Sequence, residues 1–416
     1  MGNEYLKRVV DSELEGRLKR AGAVLIEGAK WCGKTRTAKE YAASTVRMQD
    51  PASIKAADVS PSAFLKGGVP RLIDEWQVSP AIWDAVRFEV DDRGQPGQFI
   101  LTGSAVPPED PSRHSGAGRM SRLLMRPMSL YESMESSGSV SLKGLFDGAD
   151  VEAVSEMSID MLALALVRGG WPASIGDDEK TASGKMQDYL DVVINTDVSR
   201  VDGIRRDPTA VRKLMASLSR NTSAAANMST IRKDMAGDND AISDKTVSSY
   251  INALRRIFVV EDVEAWNPSV RSKTSVRTSP KRHFVDPSIA ASVLRMSTGR
   301  LLKDFNTFGL LFESLCVRDL RVYSQAMGGE VLHYRDSYGL EADAILHLRD
   351  GRWAAVEIKM GTSEIDMGAK NLLKLRDSVD QRNAGPPSFL MVLTAGEYGY
   401  RRKDGVYVVP IGSLKD

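Results

Sequence analysis

The sequence predicts an α/β chain with a parallel strand–helix sheet first, a helical middle, and a second α/β domain last. Three observations predict it. A glycine loop sits between an apolar run and a helix-forming stretch within residues 23–43. A basic, helix-periodic region fills the span from Arg205 to Arg282. Alternating strands within residues 330–359 carry regularly placed carboxylates.

A length of 416 residues corresponds to two or three domains. With 42% hydrophobic and 27% charged residues, the composition is that of a globular protein with sizeable cores. Lys+Arg total 56 against 55 Asp+Glu, so no global charge announces a polyanionic partner. The two cysteines, Cys32 and Cys316, make no disulfide framework or zinc spacing, which points to a reducing cytoplasm. His114, His283, His333 and His347 show no ligand spacing. The first twenty residues are charged and amphipathic with no apolar signal core, and no apolar run nears the ~20 residues of a membrane span.

Gly28-Ala29-Lys30-Trp31-Cys32-Gly33-Lys34-Thr35 reads G-x-x-x-x-G-K-T, between Ala23-Val24-Leu25-Ile26 and a helical stretch beginning at Arg36. Strand, glycine loop and helix are the context of a phosphate-binding loop. Glycines let backbone N–H groups turn inward around phosphate oxygens, and the helix N-terminus adds its positive dipole end. Lys34 is expected on the β- and γ-phosphates of ATP, and Thr35 on Mg²⁺.

Val69-Pro70-Arg71-Leu72-Ile73-Asp74-Glu75-Trp76 ends a short strand in two acids, where a parallel sheet lines its ligand crevice. Asp74 is expected to hold Mg²⁺ and Glu75 to orient the attacking water. The next strand, Gln98-Phe99-Ile100-Leu101, ends in Thr102-Gly103-Ser104, whose hydroxyls are placed beside the γ-phosphate. A fifth strand, Arg122-Leu123-Leu124-Met125, follows the glycine-rich Ser115-Gly116-Ala117-Gly118-Arg119. Arg119 or Arg122 is the candidate for transition-state charge, with solvated surface arginines as the alternative.

These motifs, with Leu72-Ile73-Asp74-Glu75, Leu101-Thr102-Gly103-Ser104 and Gly118-Arg119, resemble the ATPase core of a prokaryotic AAA+-like P-loop family. That family joins the core to a C-terminal domain of unknown function. Arg168-Gly169-Gly170-Trp171-Pro172 and Lys281-Arg282-His283-Phe284-Val285-Asp286 resemble its C-terminal signposts. The resemblance implies five parallel strands, ATP and Mg²⁺ as cofactors, and Arg119 in a site that could be completed across subunits of a homo-oligomer. Trp31-Cys32 is a bulky pair for such a loop, at positions that vary freely.

Glu132 to Val154 is rich in Ser and Gly and reads as the domain join. The basic region holds fifteen Lys/Arg against eight Asp/Glu, a net of +7. Pro208 to Arg220 is helix-periodic, with Val211, Leu214, Met215 and Leu218 on one face. Ser243 reads as the N-cap of another helix carrying Val247, Tyr250, Ile251 and Leu254. Ile257-Phe258-Val259-Val260 and Val263-Glu264-Ala265-Trp266 then read as a two-stranded wing. The outline is a winged helix, whose partner is double-stranded DNA or a protein.

Near the C-terminal end, Glu313 lies on an amphipathic helix, Asp343 on an alternating strand, and Glu357-Ile358-Lys359 on the next. A carboxylate on one strand and E-x-K on the following one resembles the restriction-endonuclease-like pattern. Glu357 and Lys359 share a strand face. Glu313, Asp343, Glu357 and Lys359 form a candidate second metal site; an ion pair between Glu357 and Lys359 is the structural alternative.

The expectation is an ATP-binding domain over 1–135, a helical and winged-helix module over 155–297, and a restriction-endonuclease-like domain over 298–416. The expected activity is Mg²⁺-dependent ATP hydrolysis coupled to DNA or protein binding. The alternatives are an ATP-gated metal-dependent nuclease and a nucleotide-dependent switch with negligible turnover.

Overall fold

The computed structural model describes residues 4–106, 118–224, 226–236, 242–268 and 279–416. They form two compact units. The first takes in Met1–Pro127, Thr196–Arg205 and Asn252–Val259, and the second Met128–Asn195, Arg206–Ile251 and Val260–Asp416. The predicted glycine-rich stretch at 115–117, and His114, lie outside the described residues.

In the first unit the chain runs through α1 (Val10–Leu18), β1 (Ala23–Glu27), α2 (Lys34–Tyr41), β2 (Ser44–Arg47) and α3 (Pro51–Val59). It continues with β3 (Arg71–Asp74), α4 (Ala81–Arg93), β4 (Phe99–Gly103) and β5 (Met120–Leu124). The sheet order is β2-β3-β4-β1-β5, and every pairing is parallel. Every residue of β1 and β4 is buried. Such continuous runs suit central strands covered on both faces. Leu25, Ile73 and Leu101 pack with Trp76, Trp83 and Val86 in one core. Because β4 lies between β1 and β3, the ends of the three strands that carry the loop, the two acids and the two hydroxyls stand side by side.

The second unit opens with β6 (Val140–Ser141), α5 (Leu142–Phe146), β7 (Glu152–Val154), α6 (Ile159–Arg168) and α7 (Glu179–Val192). After α8 (Val198–Arg200), which belongs to the first unit, come α9 (Pro208–Arg220), α10 (Met228–Ala236) and α11 (Asp244–Arg256), whose residues from Asn252 belong to the first unit. Then follow β8 (Val260–Val263), β9 (Lys281–Phe284), α12 (Pro287–Val293), α13 (Thr298–Leu301) and α14 (Phe305–Ala326). The remainder is β10 (Glu330–Arg335), β11 (Glu341–His347), β12 (Trp353–Lys359), α15 (Ile365–Ser378), α16 (Gln381–Ala384), β13 (Leu390–Thr394), β14 (Tyr398–Arg401), β15 (Tyr407–Pro410) and β16 (Leu414–Lys415).

Its seven-stranded sheet has the order β10-β11-β12-β13-β15-β14-β7. β10, β11 and β12 form an antiparallel meander, α15 crosses over, and β13 returns parallel to β12. Trp353 and Trp266 stack with centroids 4.6 Å apart, in a core completed by Leu372 and Val392. The helix stripes follow the sequence pattern. Val211, Leu214, Met215 and Leu218 are buried on α9, whose N-cap Asp207 precedes Pro208. The Ser243 hydroxyl accepts the N–H of Thr246 at the start of α11.

Two expectations about organisation are corrected. The Ser/Gly-rich stretch at 132–154 is not a linker: β6 pairs with β16, and β7 forms an edge of the large sheet beside β14. Strands of two and three residues are too short to show a period. Next, Ile257–Val260 and Val263–Trp266 do not pair; β8 pairs antiparallel with β9. Phe258 takes a left-handed turn at φ 58°, which ends the earlier run. The expected middle and C-terminal segments, 155–297 and 298–416, fall within one compact unit, and ion pairs such as Arg318–Asp286 and Lys281–Glu313 connect them.

Candidate functional site

The loop Gly28–Thr35 leaves the buried strand β1 and enters α2. Gly28 (φ 153°) and Gly33 (φ 104°) take conformations that suit glycine, and a Cβ on Gly28 would stand 2.0 Å from the Met125 carbonyl oxygen. Trp31 adopts φ 70° and is about half exposed. Lys34 is buried, and its ammonium donates to the carbonyls of Gly28 at 2.9 Å and Ala29 at 2.8 Å. The loop thus holds its own lysine over the cradle.

Thr35 Oγ1 and Thr102 Oγ1 each donate to Asp74 Oδ1 at 2.7 Å. Thr102 also accepts the backbone N–H of Glu75 at 3.1 Å, which secures Glu75 in a left-handed conformation (φ 57°). Such a backbone costs about 1–3 kcal/mol and persists where its surroundings fix it. The Glu75 Oε2 accepts from Ser104 Oγ at 2.9 Å and Gln77 Nε2 at 2.5 Å. The sequence motifs on β1, β3 and β4 therefore meet in one cluster. Thr35 and Asp74 offer adjacent hard oxygen donors, the kind Mg²⁺ prefers.

Arg119 does not join them. Its carbonyl accepts from Ala23 at the start of β1, and its guanidinium pairs with Asp91 on α4. It sits at the opposite end of β1 from the loop, roughly 15 Å of strand away. Arg122 reaches Glu27, the residue before Gly28, at 3.0 Å. Burial raises the Glu27 pKa, and Arg122 partly offsets that shift.

Three supporting residues have no motif to announce them. Arg8 donates to the carbonyls of Cys32 (2.9 Å) and Arg126 (2.8 Å), bracing the loop from before α1. Tyr5 is bonded to Thr37 and Asp11. Asp197, in a single π-helical turn at Val193–Asp197, pairs with Lys30 of the loop at 2.7 Å. Nothing in local sequence marks a partner 167 residues away.

Among the described residues of the basic region, many of the arginines are committed to internal contacts. Arg256 donates to Val106 and Val201 carbonyls, and Arg282 to that of Ala226. Arg206 stacks over Tyr250, and Arg220 and Arg232 pair with Asp234 and Asp244. Lys213, Lys233 and Lys245 are exposed.

In the second unit, α14, β11 and β12 bring Glu313, Asp343, Glu357 and Lys359 together, and β9 adds Lys281. Lys281 lies 3.1 Å from Glu313 and 3.5 Å from Asp343, while Lys359 lies 3.4 Å from Asp343 and 2.6 Å from Glu357. Burial, then the Asp343 charge, push Glu313 and Glu357 up to about 7. Burial opposes the ammonium of Lys359, but Asp343 and Glu357 outweigh it and raise its pKa; Glu313 and Asp343 do the same for Lys281. Among the described residues, no three His, Cys, Asp or Glu side chains are arranged to hold a metal ion.

Residues 20–134 match the model of an AAA domain. With the loop and its acids, this match to an AAA-type P-loop ATPase domain supports ATP binding by the first unit. Residues 159–300 match a domain of unknown function, DUF8612, and residues 308–414 match another, DUF4143. The chain is 23% identical over 417 residues to "Uncharacterized protein Rv2008c" of Mycobacterium tuberculosis, covering 98% of this chain and 84% of that one. It is 22% identical over 271 residues to an "Uncharacterized protein" of Haemophilus influenzae, covering 65% and 61%. Among solved structures it is similar to the Walker-type ATPase PABY2304 of Pyrococcus abyssi, with 16% identity and a TM-score of 0.41 over 70% of this chain and 96% of that one. It is also similar to the Aeropyrum pernix ORC1 protein in complex with DNA, with 12% identity and a TM-score of 0.27 over 71% and 94%. Among the described residues no helix is long and apolar enough to cross a membrane.

Proposed function

We propose that this protein is an AAA+-like ATPase that hydrolyses ATP with Mg²⁺. The observation carrying this reading is the convergence of Thr35 and Thr102 on Asp74, one residue before Glu75 and beside the Gly28–Thr35 loop. Lys34 would exchange the loop carbonyls for the β- and γ-phosphate oxygens, as charged acceptors replace neutral ones for its ammonium. Thr35 and Asp74 would hold Mg²⁺, which supplies charge neutralisation on the phosphates. Glu75 orients the water and takes its proton. Thr102 fixes Asp74 and the Glu75 backbone, and Ser104 with Gln77 fixes the Glu75 carboxylate. Mg²⁺-dependent phosphate release by the full chain, compared with Glu75→Gln, tests the reading. Equal rates would reject it.

Nucleotide state is coupled, on this reading, to duplex DNA through a winged helix made of α9, α10, α11 and the β8–β9 pair. The exposed Lys213, Lys233 and Lys245 favour that partner. A second reading, a metal-dependent nuclease, is favoured by one observation. The succession α14, β10, β11, β12, α15, β13 carries Glu313, Asp343 and Glu357-x-Lys359 into one cluster.

A further inference from the structure

Lys281 is a buried ammonium for which the nucleotide reading has no use. It lies on β9, outside the meander and helix that supply the acids, and its side chain is 9% exposed. Within the cluster the charges alternate in a line: Glu313, Lys281, Asp343, Lys359, Glu357. Each oxygen of Asp343 faces a different ammonium, Oδ1 that of Lys281 and Oδ2 that of Lys359. Oδ2 also accepts the backbone N–H of Ile358 at 2.8 Å. The Lys281 Nζ stands between Glu313 Oε1 and Asp343 Oδ1, the gap a divalent cation would need if helix and strand were to share it. A Mg²⁺ or Mn²⁺ ion requires carboxylate oxygens at about 2.0–2.2 Å from its centre. An ammonium at the same point excludes it by volume and by charge.

We infer that Lys281 is a built-in cation that fills this acidic pocket. The resting protein therefore takes up no divalent ion between Glu313 and Asp343, and removing the Lys281 charge creates a metal site. On the nuclease reading, Lys281 must leave before metal enters. The inference itself does not rest on ATP binding.

The test is a Mn²⁺ titration of the nucleotide-free full chain, following free Mn²⁺ by electron paramagnetic resonance. Wild type and Asp343→Asn should give the same isotherm. Lys281→Met should gain one Mn²⁺ site, roughly tenfold or more tighter than any in the wild type, from two carboxylates freed to converge on one ion. Lys281→Met/Asp343→Asn should lose it again. Two outcomes overturn the inference: a wild-type Mn²⁺ site that disappears in Asp343→Asn, or a folded Lys281→Met protein that gains none. If Lys281→Met does not fold by circular dichroism, Lys281→Gln takes its place. The comparison of wild type with Asp343→Asn decides the first half in either case.

Discussion

Asp286 accepts the backbone N–H of Gly170 at 3.0 Å, across 116 residues of sequence. The same carboxylate oxygen accepts from Arg318 at 2.9 Å, and Arg318 also pairs with Asp319 at 2.7 Å. Asp319 in turn accepts the N–H of Leu130, and the indole N–H of Trp171 donates to Ser288. Gly169 and Gly170 are required by space: a Cβ on Gly170 would stand 2.0 Å from the Met128 oxygen, and one on Gly169 would stand 2.5 Å from Asp286 Oδ1. Two signposts that look unrelated in sequence are the halves of one buried junction.

Removing the junction's anion should be costly. Asp286→Ala strands the fully buried Arg318 with one partner, and losing one member of a buried pair costs about 3–5 kcal/mol. Chemical denaturation of the second unit's transition should show a lower midpoint. An unchanged midpoint would remove this junction from the stability account.

Lys34→Ala should leave the fold intact and weaken ATP binding roughly 10- to 150-fold, the loss of about 1.5–3 kcal/mol expected for a charged hydrogen bond. Calorimetric titration checks it. Undiminished affinity in a folded variant would reject the loop assignment.

Glu75→Gln should retain ATP and lose turnover by roughly 10²–10⁴, since a general base acts in the transition state. Steady-state kinetics should show a fall in kcat with little change in binding.

Duplex DNA binding, followed by fluorescence anisotropy, should weaken with added salt. It should fall further when Lys245 and Lys233 are reversed to Glu. Arg256 is unsuitable for this test because it holds the carbonyls of Val106 and Val201. Absence of binding at low salt would favour a protein partner.

Two buried histidines predict acid sensitivity. Burial, with the Lys281 charge, lowers His333 to about 4, and burial with the Arg321 charge lowers His283 well below its ordinary value. The unfolded chain therefore binds protons that the native one refuses. The resulting stability is present above pH 6.5 and is lost as pH falls towards 4, by roughly 2–3 kcal/mol for His333. Glu313 and Glu357, raised to about 7, act with the opposite sign. The measurement is thus the difference in denaturation midpoint between wild type and His333→Gln at pH 7 and pH 5. That difference should shift in the variant's favour at pH 5.

The cluster in the first unit was legible because its motifs are local. Gly28–Thr35, Asp74-Glu75 and Thr102-Gly103-Ser104 each sit at one strand end, and a parallel sheet aligns such ends. That Arg119 lies at the opposite end of β1 from the loop could not be read in advance, because it depends on which end of β5 the residue occupies, and no residue type encodes that. Arg8, Asp197 and Lys281 were missed for a shared reason. Each works through a partner far away in sequence, and pairing by topology leaves no periodic trace. The acids on β11 and β12 were found from strand alternation and Glu313 from the amphipathic pattern of α14, but Lys281 was not.

The pairing of β7 with β14 and of β6 with β16 carries a cost in time. Ser136 donates to Leu414, 278 residues further along the chain. At synthesis rates of about 5–20 residues per second, the 136–154 stretch emerges tens of seconds before its partners exist. During that interval its backbone groups can pair only with water, with a chaperone, or with the wrong strand. A fragment beginning after Val154 would meet the converse problem, with β14 bare along one side. Any dissection of the second unit should therefore begin at Met128 and keep the segment that reads in the sequence as a domain join.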